Sequence, residues 1–115
     1  MKEIIFYKTE KGKVPLRDFL ARQNAKVRAK FEKLFDILEK EETPLGRPFV
    51  DNLRDGIKEL RIIFAGSQYR ALHFFFHKNY IVFTHGFIKK TDKVPEEEIE
   101  RAIRYKNDFE SRHGR

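Results

Sequence analysis

The chain has 115 residues, with 25 Lys and Arg against 18 Asp and Glu, a formal charge of +7 and a pI near 9.7. That length suits one domain with one sizeable core, and the 12 Phe and 4 Tyr supply bulky apolar surface that a disordered chain lacks. The absence of cysteine excludes disulfides, cysteine-ligated zinc and a thiol nucleophile.

Residues 1–115 show no repeat, low-complexity tract or linker and are read as one domain. Residues 3–8 (EIIFYK) are β-branched and aromatic and predict a first strand. After the turn at Lys11-Gly12-Lys13, Pro15 suits a first helical position, where its missing N–H is not needed. Leu16, Phe19 and Leu20 mark the apolar face of that short helix. Asn24 caps a second helix, in which Val27, Phe31, Leu34, Phe35 and Leu38 recur at the spacing of one buried stripe. Thr43 precedes Pro44 and sets the latest stop for this helix. Two antiparallel helices are expected.

Residues 45–56, with Gly46, Pro48 and Asp55-Gly56, read as an ordered loop ending in a turn. Strand-like runs follow at residues 57–64, 68–77 and 80–87, with spacers short enough for hairpins. Pro95 opens a last helix whose first turn holds Glu96, Glu97 and Glu98, where carboxylates favour the positive end of the helix dipole. Its inner face is Ile99, Ala102, Ile103 and Phe109. The expected fold is α+β in the order β-α-α-β-β-β-α, with helices on a small, antiparallel-rich twisted sheet.

Bulk charge makes a phosphate-rich partner the first expectation. The excess is uneven: residues 1–40 hold 11 basic and 6 acidic side chains, whereas residues 41–80 and 81–115 each carry a net +1. A smaller basic patch, Arg101, Arg104, Lys106, Arg112 and Arg115, closes the chain. No apolar run approaches the ~20 residues of a membrane span. No signal-peptide core follows the Met-Lys-Glu start. The expected setting is the cytoplasm, away from membranes.

Strand alternation puts Glu59, Arg61 and Ile63 on one face, and Arg70 in the apolar series of Leu72, Phe74 and Phe76. A guanidinium there requires a carboxylate or a cleft rim. Glu59 or Asp55 is the expected ion-pair partner on the first alternative. Uninterrupted alternation in the next run groups Ile81, Phe83, His85 and Phe87. That strand ends in His-Gly-Phe and hands over to Lys89 and Lys90. These lysines, with Arg61 and Arg70 on neighbouring strands, form a cation set suited to a phosphodiester and to the charge of a five-coordinate transition state. Solvated lysines on a loop are the plainer alternative. His73 and His77 share a face but lie roughly 13 Å apart along a strand, too far to share one metal ion. His85 suits a general acid or base by its ordinary pKa; a packed, hydrogen-bonded structural histidine is the more common outcome. No cofactor or metal is expected.

The ordered segments "DGIKELRI", "QYRALHFFF" and "IVFTHGFIKKTDKVPEEEIERA", with "IIFYKTEKGKVPLRDFL" before them, resemble the phage-derived, HigB-type branch of the RelE/ParE toxin superfamily. The resemblance implies the toxin of a type II toxin–antitoxin pair, held in a hetero-oligomer with a helix-turn-helix antitoxin. It further implies a metal-independent, ribosome-dependent endoribonuclease in which the RNA 2′-OH attacks the adjacent phosphate. Carried over by position, Arg61 and Arg70 hold the scissile phosphate. Lys89 and Lys90 act as clamps or proton-transfer partners, with His85 added from its place in the motif. Tyr69, Lys93 and Lys58 are grouped with them as RNA contacts, and the basic N-terminal helices as rRNA contacts. The alternative on the same fold is a protein that cuts no RNA: a ParE-like gyrase inhibitor or an antitoxin-bound co-repressor.

Overall fold

Apolar alternation and the helical stripe generate five strands and three helices in the computed structural model, which describes residues 2–41 and 45–114. In chain order these are β1 (Glu3–Phe6), α1 (Pro15–Ala21), α2 (Ala25–Lys40), β2 (Val50–Asn52), β3 (Lys58–Phe64), β4 (Ser67–Phe76), β5 (Tyr80–Lys89) and α3 (Glu96–His113). Pro15 begins α1, and the Asn24 side chain accepts a 2.9 Å hydrogen bond from the Val27 N–H at the start of α2. Helix α2 ends at Lys40; Thr43 and Pro44, like Arg115, lie outside the described residues.

The sheet order is β1-β5-β4-β3-β2, with β1 parallel to β5 and every other pair antiparallel. Strand β2 corrects the expectation of a loop across residues 45–56. Asp55 and Gly56 both take positive φ, and the tight turn they make folds β2 back on β3, pairing Val50 with Leu60 and Asn52 with Lys58. The observed order is therefore β-α-α-β-β-β-β-α, still an α+β domain, with a mixed sheet.

The sheet buries both faces. Leu16, Phe19, Val27 and Phe31 of the helical hairpin pack on Leu60, Ile62, Ala71 and Phe83. On the opposite face, Ala102 and Phe109 of α3 pack on Tyr7, Leu72, Phe74 and Val82. Each fully buried Val, Leu, Ile or Phe among them contributes about 1.5–3 kcal/mol. The Tyr7 hydroxyl also donates to Asp108 of α3.

Strand β5 does not alternate uninterrupted. Opposite β4, Leu72 pairs with His85 and His73 pairs with Phe83, so Thr84 is an extra residue, a β-bulge. Its hydroxyl donates to the Leu72 carbonyl, 3.2 Å away. The bulge reverses side-chain parity. Phe83 lies on the hairpin face, whereas His85, Phe87 and Lys89 lie on the α3 face, paired with the residues of the Arg70 and Leu72 series or beside them. The expected grouping of His85 with Ile81 and Phe83 is thereby corrected.

Gly86 returns to the hairpin face beneath Phe19, and a Cβ there would stand 2.5 Å from a ring carbon of that buried phenylalanine. Gly86→Ala is expected to lower stability by about 1–3 kcal/mol through overpacking, measured by urea denaturation. A second prediction concerns His73, which is fully buried against Phe83 (ring centroids 4.6 Å apart), with Nδ1 making no hydrogen bond among the described residues. Burial chiefly, aided by Lys58 and opposed by the Ala71 backbone, pushes its pKa down to about 3. The unfolded chain protonates this ring below about pH 6.5 while the folded chain does not. Stability therefore falls as pH drops, by up to about 1.4 kcal/mol per pH unit for this group. Urea midpoints between pH 6.5 and 5 will show a shallower slope in His73→Phe.

Candidate functional site

Arg61 on β3 and Arg70 on β4 are direct cross-strand partners on the α3 face. Two like charges so placed repel unless a counter-charge sits between them. Glu59, two residues before Arg61 on the same face, supplies it. Its Oε1 lies 3.0 Å from Arg70 Nε and 3.4 Å from Arg61 Nε, and the carboxylate is buried. The Arg70 guanidinium also donates to the Gln68 side-chain oxygen (2.8 Å) and the Tyr69 carbonyl (3.2 Å). Burial pushes the Arg70 pKa down, Glu59 pulls it up, and Arg61 adds to the lowering. An arginine nonetheless stays charged, so this is a buried ion pair in which each guanidinium nitrogen has a hydrogen-bond partner.

Arg70 is 0% exposed and presents nothing to a ligand. Arg61 differs: its side chain is 32% exposed and opens on a cleft of about 460 Å³ between β2, β3, the end of β5 and the start of α3. Lys89 and Lys93 line the same cleft, the first from the end of β5 and the second from the loop before α3. That loop is held in part by the Thr91 hydroxyl, which donates to the Lys93 carbonyl at 2.6 Å.

Most carboxylates around the cleft are already engaged. Glu59 serves Arg70 and Arg61. Asp51 pairs with Arg47 at 3.0 Å, and the Arg47 hydrogen bond is the main cause of its lowered pKa. Glu96 pairs with Arg54. Among the described residues of the cleft, Lys89 and Lys93 face only Asp92 as an unpaired acid. The lining holds four carboxylates and four cations; Arg54 is taken up by Asp55 and Glu96, and the other three cations, Arg61, Lys89 and Lys93, converge from separate elements, an arrangement suited to an anionic oxygen.

The other expected site residues lie elsewhere. Lys90 is exposed just beyond β5 and does not line the cleft. Tyr69 is buried under the helical hairpin. Lys58 projects on the hairpin face, donating to the Asn52 side chain and standing 5.2 Å from the Phe75 ring centroid. His85 is buried on the α3 face, four residues and roughly 13 Å of strand from Lys89. Its Nδ1 is 3.1 Å from the Thr84 hydroxyl and its Nε2 is 3.0 Å from Glu98, and burial, opposed by Glu98, holds its pKa low. In this structure its ring is a buried link between β5 and α3, out of reach of a substrate in the cleft. Glu98 and the Arg54–Glu96 rim pair went unpredicted. The only sequence signal for either is the acidic first turn of α3, which can serve the helix dipole without partners.

The model of the phage-derived Gp49-like protein family matches residues 18–107. No curated protein matches the chain.

The two arginines should separate in a stability measurement. Arg70→Ala leaves Glu59 buried without its main partner and is expected to cost about 3–5 kcal/mol. Arg61→Ala leaves the Glu59–Arg70 pair intact and should cost under about 1 kcal/mol, as a partly exposed contact does. Urea denaturation of the two variants reads the difference.

Proposed function

The chain belongs to the Gp49-like family of phage-derived proteins, which lies within the RelE/HigB-like toxin superfamily, and on that premise we propose that it is the toxin of a toxin–antitoxin pair that cleaves mRNA. The observation that carries the nuclease reading is the convergence of Arg61, Lys89 and Lys93 on one cleft, with most neighbouring carboxylates paired.

In this reading an RNA phosphate sits between Arg61 and the two lysines. The 2′-OH of the preceding nucleotide attacks phosphorus, a P–O bond forms to that oxygen, and the bond to the 5′ oxygen of the next nucleotide breaks. A cyclic phosphate and a free 5′-OH result, and the proton lost from the 2′-OH is balanced by one gained at the leaving oxygen. The attack gathers negative charge on the non-bridging oxygens, and preplaced cations stabilise that state more than the ground state. Arg61 is the strongest candidate for this role, because Glu59 and Arg70 fix its strand-proximal end and leave its outer edge open. Arg70 then acts as a positioning residue. The reaction asks nothing of a metal or cofactor. The exposed Arg17, Arg22 and Lys26 of the helical region supply a second basic surface for rRNA, in keeping with action on the ribosome.

Primer extension on cellular transcripts after induction tests the reading. Codon-spaced cuts are expected with the wild type. Arg61→Ala should reduce cutting by about 10²-fold or more, on the scale of losing one transition-state donor, while the protein stays folded. Growth arrest with intact transcripts and an SOS response would identify a gyrase poison instead.

A further inference from the structure

Strand β2 covers only part of β3. Its pairing with β3 ends at Val50 and Leu60, and one further bond runs from the Arg61 N–H to the Phe49 carbonyl (2.8 Å). Two residues on, Ile63 turns its backbone N–H and C=O to the same side by strand alternation. There the chain has already left the sheet through the turn at residues 46–49, and no described backbone group meets Ile63. Among the described residues, the edge of β3 is open there.

Beside it runs a groove of about 580 Å³ between α2 and β3. Its walls are apolar: Leu34 and Ile37 of α2, Pro48 and Phe49 of the turn, and Ile62 and Ile63 of β3. Ile63 is 67% exposed and Phe49 43%, the two most exposed large hydrophobic side chains among the described residues. Three cations, Lys30, Lys33 and Arg61, rim the groove, and among the described residues no carboxylate lines it. Among the described residues neither lysine has an ion-pair partner; Lys30 stands 5.9 Å from the Phe64 ring centroid.

We propose that this groove receives an acidic peptide with apolar anchors, added as an extended strand along the open edge of β3. The bare backbone calls for a strand, and the apolar walls call for alternate hydrophobic side chains. The cationic rim selects carboxylates between them. A second copy of this chain fits poorly, because it brings the same basic rim to its own edge. An RNA strand satisfies the cations but leaves the apolar walls and the amide edge unused.

Arg61 lines both this groove and the cation cleft. A carboxylate of the docked strand that engages Arg61 withdraws it from the cleft, so occupancy of the groove weakens phosphate binding. This coupling rests on the nuclease reading above; the docking itself does not.

The test uses a fluorescein-labelled ten-residue peptide of alternating Glu and Val, with an alternating Lys and Val peptide as its mirror in charge. Anisotropy with the full chain should show saturable binding of the Glu peptide alone. Binding should fall at least tenfold in K30E/K33E, which should take up the Lys peptide instead, and at least threefold in Ile63→Ser. Hydrogen exchange should show the Ile63 amide, fast in the free protein, slowed on binding. A labelled RNA oligonucleotide should lose affinity when the Glu peptide saturates the groove. Equal binding of the Glu peptide to K30E/K33E, or an unprotected Ile63 amide, overturns the docking proposal. So does self-association of the chain, or RNA binding, that Ile63→Ser abolishes. Peptide docking that leaves RNA affinity unchanged overturns the coupling through Arg61, and absence of RNA binding alone sinks the nuclease reading.

Discussion

One extra residue in β5 determines what the α3 face of the sheet contains. If β5 alternated without the bulge at Thr84, Lys89 would share a face with Phe83 and point toward the helical hairpin, away from Arg61. The bulge reverses that parity, and its cost is limited because the Thr84 hydroxyl reaches the Leu72 carbonyl in the buried interior. Downstream of it, His85 meets Glu98 of α3, Gly86 slips beneath Phe19 of α1, and Lys89 joins the arginine face. The cleft, the seating of α3 and the seating of α1 all follow from the same insertion.

The second dependence is electrostatic. Glu59 is a single carboxylate between two guanidiniums, one buried and one half-exposed. The buried partner offsets much of the desolvation of the carboxylate, and the outer one shares what remains of its charge. Arg61 is thereby oriented without being neutralised, the condition a cation must meet to act on a transient negative charge. The other acids at the cleft show how neighbouring cations keep carboxylates occupied, with Arg47 on Asp51 and Arg54 on Glu96.

Local patterns carried much of the fold. Pro15, the Asn24 cap, the α2 stripe and the acidic start of α3 are properties of neighbouring residues, and the structure places them as the sequence predicts. Glu59 as the partner of Arg70 was one of two alternatives that strand alternation left open, and it is the one found. Strand β2 was not legible, because three residues joined by a Gly-containing turn look like the loop they follow. Nor was the bulge, since Thr84 has the same β-branched character as a regular strand residue. The burial of Tyr69 depends on which face the helices cover, a tertiary fact that alternation alone does not supply. His85 was misplaced for the same combination of reasons.

The parallel pairing of β1 with β5 has a consequence for how the domain comes into being. Residues Glu3–Phe6 find their partners only at Tyr80–Phe83, so the first strand waits for most of the chain to be synthesised before it has an edge to join. The apolar stripe of α2 likewise packs on strands that follow it in the sequence. Early folding is therefore confined to helices with an uncovered face, and the sheet closes late, through contacts of long sequence separation whose loop-closure entropy slows assembly. The cation cleft needs β3, β5 and the loop before α3 together. A nascent chain thus passes through most of its synthesis in forms where those cations are dispersed, and gathers them into one cleft only as the last helix docks.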